Sequence, residues 1–243
     1  MIVKNAQTTL PQVLDSLKAF DDVVVYSNNS TDATDKIASS YENVNLIQGD
    51  FIGFGPTKNL ASTYAKNSWC FSLDADEVLS SEFIENLSKI ELESSKLYSI
   101  LRTNYYKEQQ IKHCWGNDVI VRLYNKEKTS FTDKKVHEKI IDRGMEVLEI
   151  EGEVKHYPYS CVSDFIYKLD SYSTIFAQDN VGKKSSSPTK AIFNGIYSFL
   201  KTYFIKRGFL DGYAGLIIAF SHMATNFYKY IKLYELNREL ESN

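Results

Sequence analysis

Apolar residues recur along the first hundred positions in two alternating rhythms. Leu10, Val13, Leu14 and Leu17 fall three and four apart, the spacing of one helix face, and predict a helix over 9–20. Val23-Val24-Val25-Tyr26 is a short β-branched run, the pattern of a buried strand. Ser30-Thr31-Asp32 supplies side-chain oxygens that cap a helix N-terminus, so a helix is expected to follow as far as Tyr41. Residues 44–48 read as the next strand, Gly53-Phe54-Gly55-Pro56 as a loop and 57–66 as a helix. Trp69-Cys70-Phe71-Ser72-Leu73 is a further strand that stops at Asp74, and Met1-Ile2-Val3 reads as the end of one. Strands alternating with helices predict a largely parallel sheet with helices on both faces.

Beyond residue 80 the rhythm changes. A helix is expected over 81–88, strands over 98–106, 119–124 and 147–156, and a helix over 163–178. Residues 183–188 are small and polar, a linker pattern, and 192–240 read as two helices broken near Gly208 and Gly212. No internal repeat or low-complexity tract interrupts this. The expected organisation is an α/β catalytic domain over 1–180 and a C-terminal helical, membrane-associating region over 190–243.

Composition adds three constraints. At 43% hydrophobic and 24% charged residues the chain of 243 is an ordinary globular protein with ample length for a core. Its net charge of −3 conceals an asymmetry: between residues 183 and 234 stand eight Lys or Arg and a single acid, Asp211. That basic stretch suits an anionic partner such as lipid headgroups, and no nucleic acid partner is expected. Phe193, Ile196, Tyr197 and Leu200, interleaved with Lys190, Lys201, Lys206 and Arg207, have the make-up of an interfacial amphipathic helix; packing against the catalytic domain or a second subunit is the alternative. Cys70, Cys114 and Cys161 form no CxxC spacing, which fits a reducing cytoplasm. The N-terminus does not read as a signal peptide. The most apolar stretch, 216–223, falls below the roughly 20 residues of a spanning helix. The expected location is cytoplasmic, peripheral at the inner face of a bacterial inner membrane.

The chemistry centres on Asp74-Ala75-Asp76-Glu77, directly after a buried strand. In open α/β sheets, ligands bind beyond the C-terminal strand ends. Two Asp separated by one residue can engage a divalent cation and the ribose beside it, and hard carboxylate oxygens suit Mg²⁺ or Mn²⁺. Helix capping is the competing explanation for such a spacing.

Other motifs join this one in order. Val23-Val24-Val25-Tyr26-Ser27-Asn28-Asn29-Ser30-Thr31-Asp32, Gly53-Phe54-Gly55-Pro56-Thr57-Lys58-Asn59 and Ser72-Leu73-Asp74-Ala75-Asp76-Glu77 together resemble family 2 inverting glycosyltransferases. Trp115, Asp118 and Arg122-Leu123-Tyr124 in that order, Val136-His137-Glu138, His156-Tyr157-Pro158-Tyr159 and Arg207-Gly208-Phe209-Leu210-Asp211-Gly212 extend the resemblance to the bacterial lipopolysaccharide core β-glucosyltransferases, over nearly the whole chain. It implies a GT-A fold, a Rossmann-like nucleotide-binding sheet with a C-terminal helical extension. It also implies a nucleotide-sugar donor, UDP-glucose above others, and a saccharide or lipid-linked saccharide acceptor. By resemblance Asp74 lies near the donor ribose and Asp76 binds the metal, while Asn5, Ser27, Asn28 and Asn29 border the nucleobase. Lys58 meets the base or the diphosphate. Inverting transfer needs a carboxylate base, for which Asp118 and Glu138 are the candidates, with Asp118 preferred. His137, with His156 as rival, completes the metal shell or contacts phosphate. Arg122 pairs either with the diphosphate or with Asp118.

Three departures stand out against that family. Met1 sits where the last residues of the first strand belong, which leaves a longer natural start or a shortened sheet centre. Ala6 replaces a common acid, and Ser27 stands where many relatives have an Asp facing the base. Two other readings compete: nucleotidyl transfer, which wants a glycine-rich phosphate loop near the first strand, and a membrane-bound scaffold that has lost its chemistry.

Overall fold

The computed structural model describes residues 1–133 and 138–242, which divide into two compact units. The first comprises Met1–Thr103 and Asn117–His156; the second comprises Asn104–Gly116 and Tyr157–Asn243.

The first unit opens with strands and helices in alternation: β1 (Ile2–Val3), α1 (Leu10–Ser16), β2 (Val23–Ser27), α2 (Thr34–Ala38), β3 (Val44–Gln48), α3 (Phe54–Thr63) and β4 (Trp69–Phe71). The strands β1, β2 and β3 form a parallel sheet, with Ile2 opposite Tyr26 and Val23 opposite Val44. Leu10, Val13 and Leu14 turn the buried stripe of α1 toward Val3 and Val25 in the main core. The helix α3 starts three residues earlier than its pattern suggests, because Pro56 falls in the first turn, where a missing N–H costs nothing.

Parallel pairing stops at β3. The strand β4 joins β5 (Glu77–Leu79), β6 (Lys96–Tyr106), β7 (Gln109–Gln110), β8 (Asn117–Asn125) and β9 (Glu146–Tyr159) in a second sheet, ordered β4-β8-β6-β9-β5 with β7 on β6. There β4 runs antiparallel to β8, with Phe71 opposite Leu123. The helix α4 (Ser81–Lys89) is capped by Ser80, whose hydroxyl accepts from Phe83 N–H at 3.1 Å, and buries Phe83 in the same core as Leu79, Tyr98 and Val154. Helices therefore flank an α/β body that contains a parallel sheet, but the parallel part is three strands.

The short β1 pairs only the C-terminal end of β2. Among the described residues no ladder joins β2 to β4, and a cavity of about 360 Å³ lies between them, lined by Met1, Val24, Trp69, Phe71 and Leu87 among others.

The second unit is mainly helical. The helix α5 (Val162–Asn180) and the helix α6 (Pro188–Leu200) both pack on α7 (Gly212–Ser242). Its core gathers Tyr106, Ile111, Cys114, Phe165, Ala214 and Ile218. No helix among the described residues is long and apolar enough to cross a membrane.

Candidate functional site

The chain leaves β4 through Ser72, whose N–H still donates to Arg122 C=O at 2.8 Å, and through the buried Leu73. Asp74 follows at the strand's exit, as the pattern predicts, although Trp69–Phe71 are half-buried where the apolar run suggested full burial. Its two oxygens are divided between two cations: Oδ1 lies 3.0 Å from Lys58 Nζ and Oδ2 lies 2.7 Å from Arg122 Nη2. Lys58, buried in α3, also reaches Glu138 Oε1 at 2.9 Å. Arg122 also reaches Glu77 Oε1 at 2.6 Å, and that same oxygen takes Arg102 Nη1 at 3.0 Å. Arg102 Nη2 ends the run on Asp118 Oδ2 at 2.9 Å. Glu138, Lys58, Asp74, Arg122, Glu77, Arg102 and Asp118 thus form one chain of alternating charge.

Burial explains why the chain must alternate. A charge withdrawn from water costs several kcal/mol unless a partner and hydrogen bonds replace the solvent. Glu77 is fully buried, and its second oxygen accepts Asp74 N–H at 3.0 Å. Removal from water pushes the Asp74 pKa up, but Arg122 and Lys58 more than reverse this and hold it well below the usual carboxylate range. Burial works to lower the Arg122 pKa, and Asp74 and Glu77 outweigh it and raise it. Asp74 is therefore ionised at any physiological pH. Asp118 sits at the open end of the run with its side chain 45% exposed, against 16% for Glu138.

A second cluster occupies the carboxyl ends of β1 and β2. Asn5 adopts φ 51° and Asn29 φ 49°, left-handed conformations that Asn tolerates. Asn5 Oδ1 accepts from Thr31 N–H at 2.8 Å, Asn28 N–H donates to Val3 C=O at 2.8 Å, and Asn29 Nδ2 donates to Asp50 Oδ1 at 3.0 Å. Ser27 donates to Asp35 Oδ1, whose other oxygen takes Gln48 Nε2 at 2.7 Å. A carboxylate thus stands beside Ser27 although the residue itself carries none.

Asp76 points elsewhere than Asp74: its Oδ2 lies 3.6 Å from His156 Nε2. One carboxylate and one imidazole are a partial donor set for Mg²⁺ or Mn²⁺, which take six ligands and draw the remainder from water and phosphate oxygens. No group of three His, Cys, Asp or Glu suited to a metal occurs among the described residues. The set fits a cation shared with a diphosphate better than one caged by protein alone. His137 lies outside the described residues, so the pairing with Asp76 is seen for its rival, His156.

The structure joins Lys58, Asp74, Arg122, Asp118 and Glu138 into one network and places Asn5, Ser27, Asn28 and Asn29 together at the ends of β1 and β2. It removes the Arg122–Asp118 pairing: the carboxylate partners of Arg122 are Asp74 and Glu77, and Asp118 pairs with Arg102. Arg102 and Asp35 are absent from the sequence motifs, and Glu77 stands in its motif without a role. Glu77 turns out to be the buried link of the chain. Arg102 could not have been suspected, since only the register of β6 on β8, with Arg102 opposite Asp118, brings it in.

Comparison with known proteins gives the family. Residues 1–142 match the profile of Glycosyl transferase family 2. An uncharacterized glycosyltransferase of Rickettsia typhi is 29% identical, over 98% of this chain and 86% of that protein. A second, from Rickettsia prowazekii, is 28% identical over the same shares. The lipopolysaccharide core biosynthesis glycosyltransferase LpsC of Rhizobium meliloti is 25% identical, over 97% of this chain and 90% of that protein. The chain belongs to glycosyl transferase family 2 and is a glycosyltransferase.

Proposed function

We propose that this glycosyltransferase inverts configuration, moving a hexose, glucose in our reading, from a UDP-linked donor to a sugar of a lipopolysaccharide or lipooligosaccharide core. The supporting observation is the ion chain: Asp74, ionised between Lys58 and Arg122 at the exit of β4, is linked through Glu77 and Arg102 to the exposed carboxylate of Asp118. The similarity to LpsC supports the core-sugar acceptor.

In this reading Asn5, Ser27, Asn28 and Asn29 border the nucleobase, and Asp35 supplies the carboxylate that Ser27 lacks. Asp74 faces the ribose. Lys58 and Arg122 turn part of their charge toward the diphosphate. Asp76, with His156 beside it, would hold Mg²⁺ or Mn²⁺, which when bound would stabilise charge on the departing diphosphate. Asp118 takes the proton of the acceptor hydroxyl, whose oxygen bonds the anomeric carbon opposite the diphosphate. The bond from that carbon to the phosphate oxygen breaks, and its electron pair leaves with the nucleoside diphosphate. Asp118 is preferred to Glu138 as base because Glu138 is largely buried on Lys58, whereas a base must reach an acceptor from solvent.

The test is a panel of nucleotide sugars with Mn²⁺ or Mg²⁺, scoring slow donor hydrolysis. UDP-glucose should be cleaved fastest. Hydrolysis of none of the panel overturns the reading, and a different preferred donor overturns the assignment of glucose.

A further inference from the structure

The outward face of α6 is apolar. Ala191 and Gly195 are buried, the latter against Met223 and Phe227 of α7. The opposite face carries Ile192, Phe193, Ile196, Tyr197 and Leu200, each between 44% and 68% exposed. At about 100° per residue these five share one stripe, and Lys190 and Lys201 border it.

The turn that follows extends this surface and is built rigidly. After a π-helical turn (Lys201–Ile205), Arg207 is left-handed at φ 56°, and a 3-10 turn (Gly208–Asp211) leads into α7. Asp211 is buried, and its carboxylate accepts the backbone N–H groups of Lys112, His113 and Cys114 at 3.0, 3.1 and 2.9 Å. A Cβ at Gly215 would lie 1.9 Å from Gly208 O, so no side chain fits where the two backbones meet. What the turn presents is Phe209 and Leu210, 47% and 54% exposed, beside exposed Lys206 and Arg207. Ring contacts from Tyr203 to Phe209 at 6.2 Å and from Phe199 to Phe220 at 5.0 Å join α6, the turn and α7 into one surface.

Charge decides what covers it. The single acid between residues 183 and 234 is Asp211, and it is buried, so the exposed charges that α6 and its turn themselves carry are all cationic. A two-fold contact of α6 and its turn with their own copies would set Lys190, Lys201, Lys206 and Arg207 against their equivalents, with no exposed acid on these elements to offset them. An anionic bilayer satisfies both the apolar stripe and the cations. We propose that α6 and the turn after it dock on an anionic membrane surface, with Phe209 and Leu210 entering the boundary between headgroups and acyl chains and Lys201, Lys206 and Arg207 on the headgroups. The proposal rests on the transferase reading above, since a lipid-linked acceptor gives the surface its use.

The test is flotation of the full chain with phosphatidylcholine vesicles, with and without phosphatidylglycerol. Binding should require the anionic lipid and weaken as salt rises. Each basic residue at such a surface is worth roughly fivefold in partitioning. Lys201→Glu with Lys206→Glu, and separately Phe209→Ser with Leu210→Ser, should each lower partitioning at least about tenfold. Ile166→Ser with Tyr167→Ser, an exposed pair on α5, should leave it within about twofold. Absence of binding, equal binding to neutral vesicles or an equal loss from the α5 pair overturns the proposal. So does a vesicle-free dimer, by light scattering, that the Phe209 and Leu210 pair dissolves. Donor hydrolysis is read in parallel: hydrolysis without flotation overturns docking alone, and flotation without hydrolysis overturns the transferase reading alone.

Discussion

Glu77 is the fully buried member of the ion chain, and both of its oxygens are in use: one on Arg102 and Arg122, the other on the Asp74 N–H. Replacing it by Gln leaves two guanidinium groups facing a neutral amide. Breaking a buried pair in this way costs about 3 kcal/mol, so Glu77→Gln should lower the thermal midpoint by several degrees, measured by circular dichroism; an unchanged midpoint would show that the network is not holding the fold. Asp74 carries a pH consequence. Its folded pKa lies below the unfolded value, so its contribution to stability is full above the unfolded pKa and is lost as pH falls toward the folded one. Thermal midpoints measured below about pH 4 should therefore fall more steeply for the native protein than for Asp74→Asn. Asp118→Asn should keep donor binding and lower transfer by at least about a hundredfold; if Glu138→Gln does so instead, the base is Glu138. At this scale the Asp pair was legible because a short apolar run ends on it. Arg102 was not, because its partners come from residues 25 and 16 positions away, and local pattern carries no record of register.

Elements were read most faithfully where periodicity was long. The helix expected over 163–178 spans Val162–Asn180, and the break expected near Gly208 and Gly212 falls between α6 and α7. The strand carrying the Asp pair was found in place, but its neighbour was not foreseen: β4 is antiparallel to β8. A continuous apolar run reports burial and is silent on the direction of its partner. The same holds for β5, three residues whose identity as a strand depends on pairing with β9, Glu77 opposite His156. Within the helical unit, His222 of α7 lies between Trp115 and Thr202, with Nδ1 3.0 Å from Thr202 Oγ1. Burial first, then Lys206 and Lys229, lowers its pKa to about 4. Its imidazole resonances should titrate near that value in NMR spectra; a midpoint near 6.5 would mean the ring is in water. Because the folded pKa is depressed, the neutral ring supports the fold above its unfolded pKa, and that support is lost as pH falls through 6.5 toward 4.

For the whole molecule, each compact unit holds a different part of the account. The first contains the ion chain, the Asp76–His156 pair and the cluster at the ends of β1 and β2. The second contains the apolar, cationic surface of α6 and its turn. Family membership was legible only because motifs across the whole chain fell in order, since the Asp pair alone is a spacing many proteins share. The donor was less legible, because Ser27 holds its carboxylate through a partner eight residues away, in Asp35. Calorimetric titration of UDP-glucose in Mn²⁺, with and without Asp76→Ala, tests the central claim most directly. The account predicts saturable binding to the native protein that is lost on chelation, and in the variant binding at least about tenfold weaker and indifferent to chelator. Binding of equal strength and equal metal dependence in both proteins would contradict it.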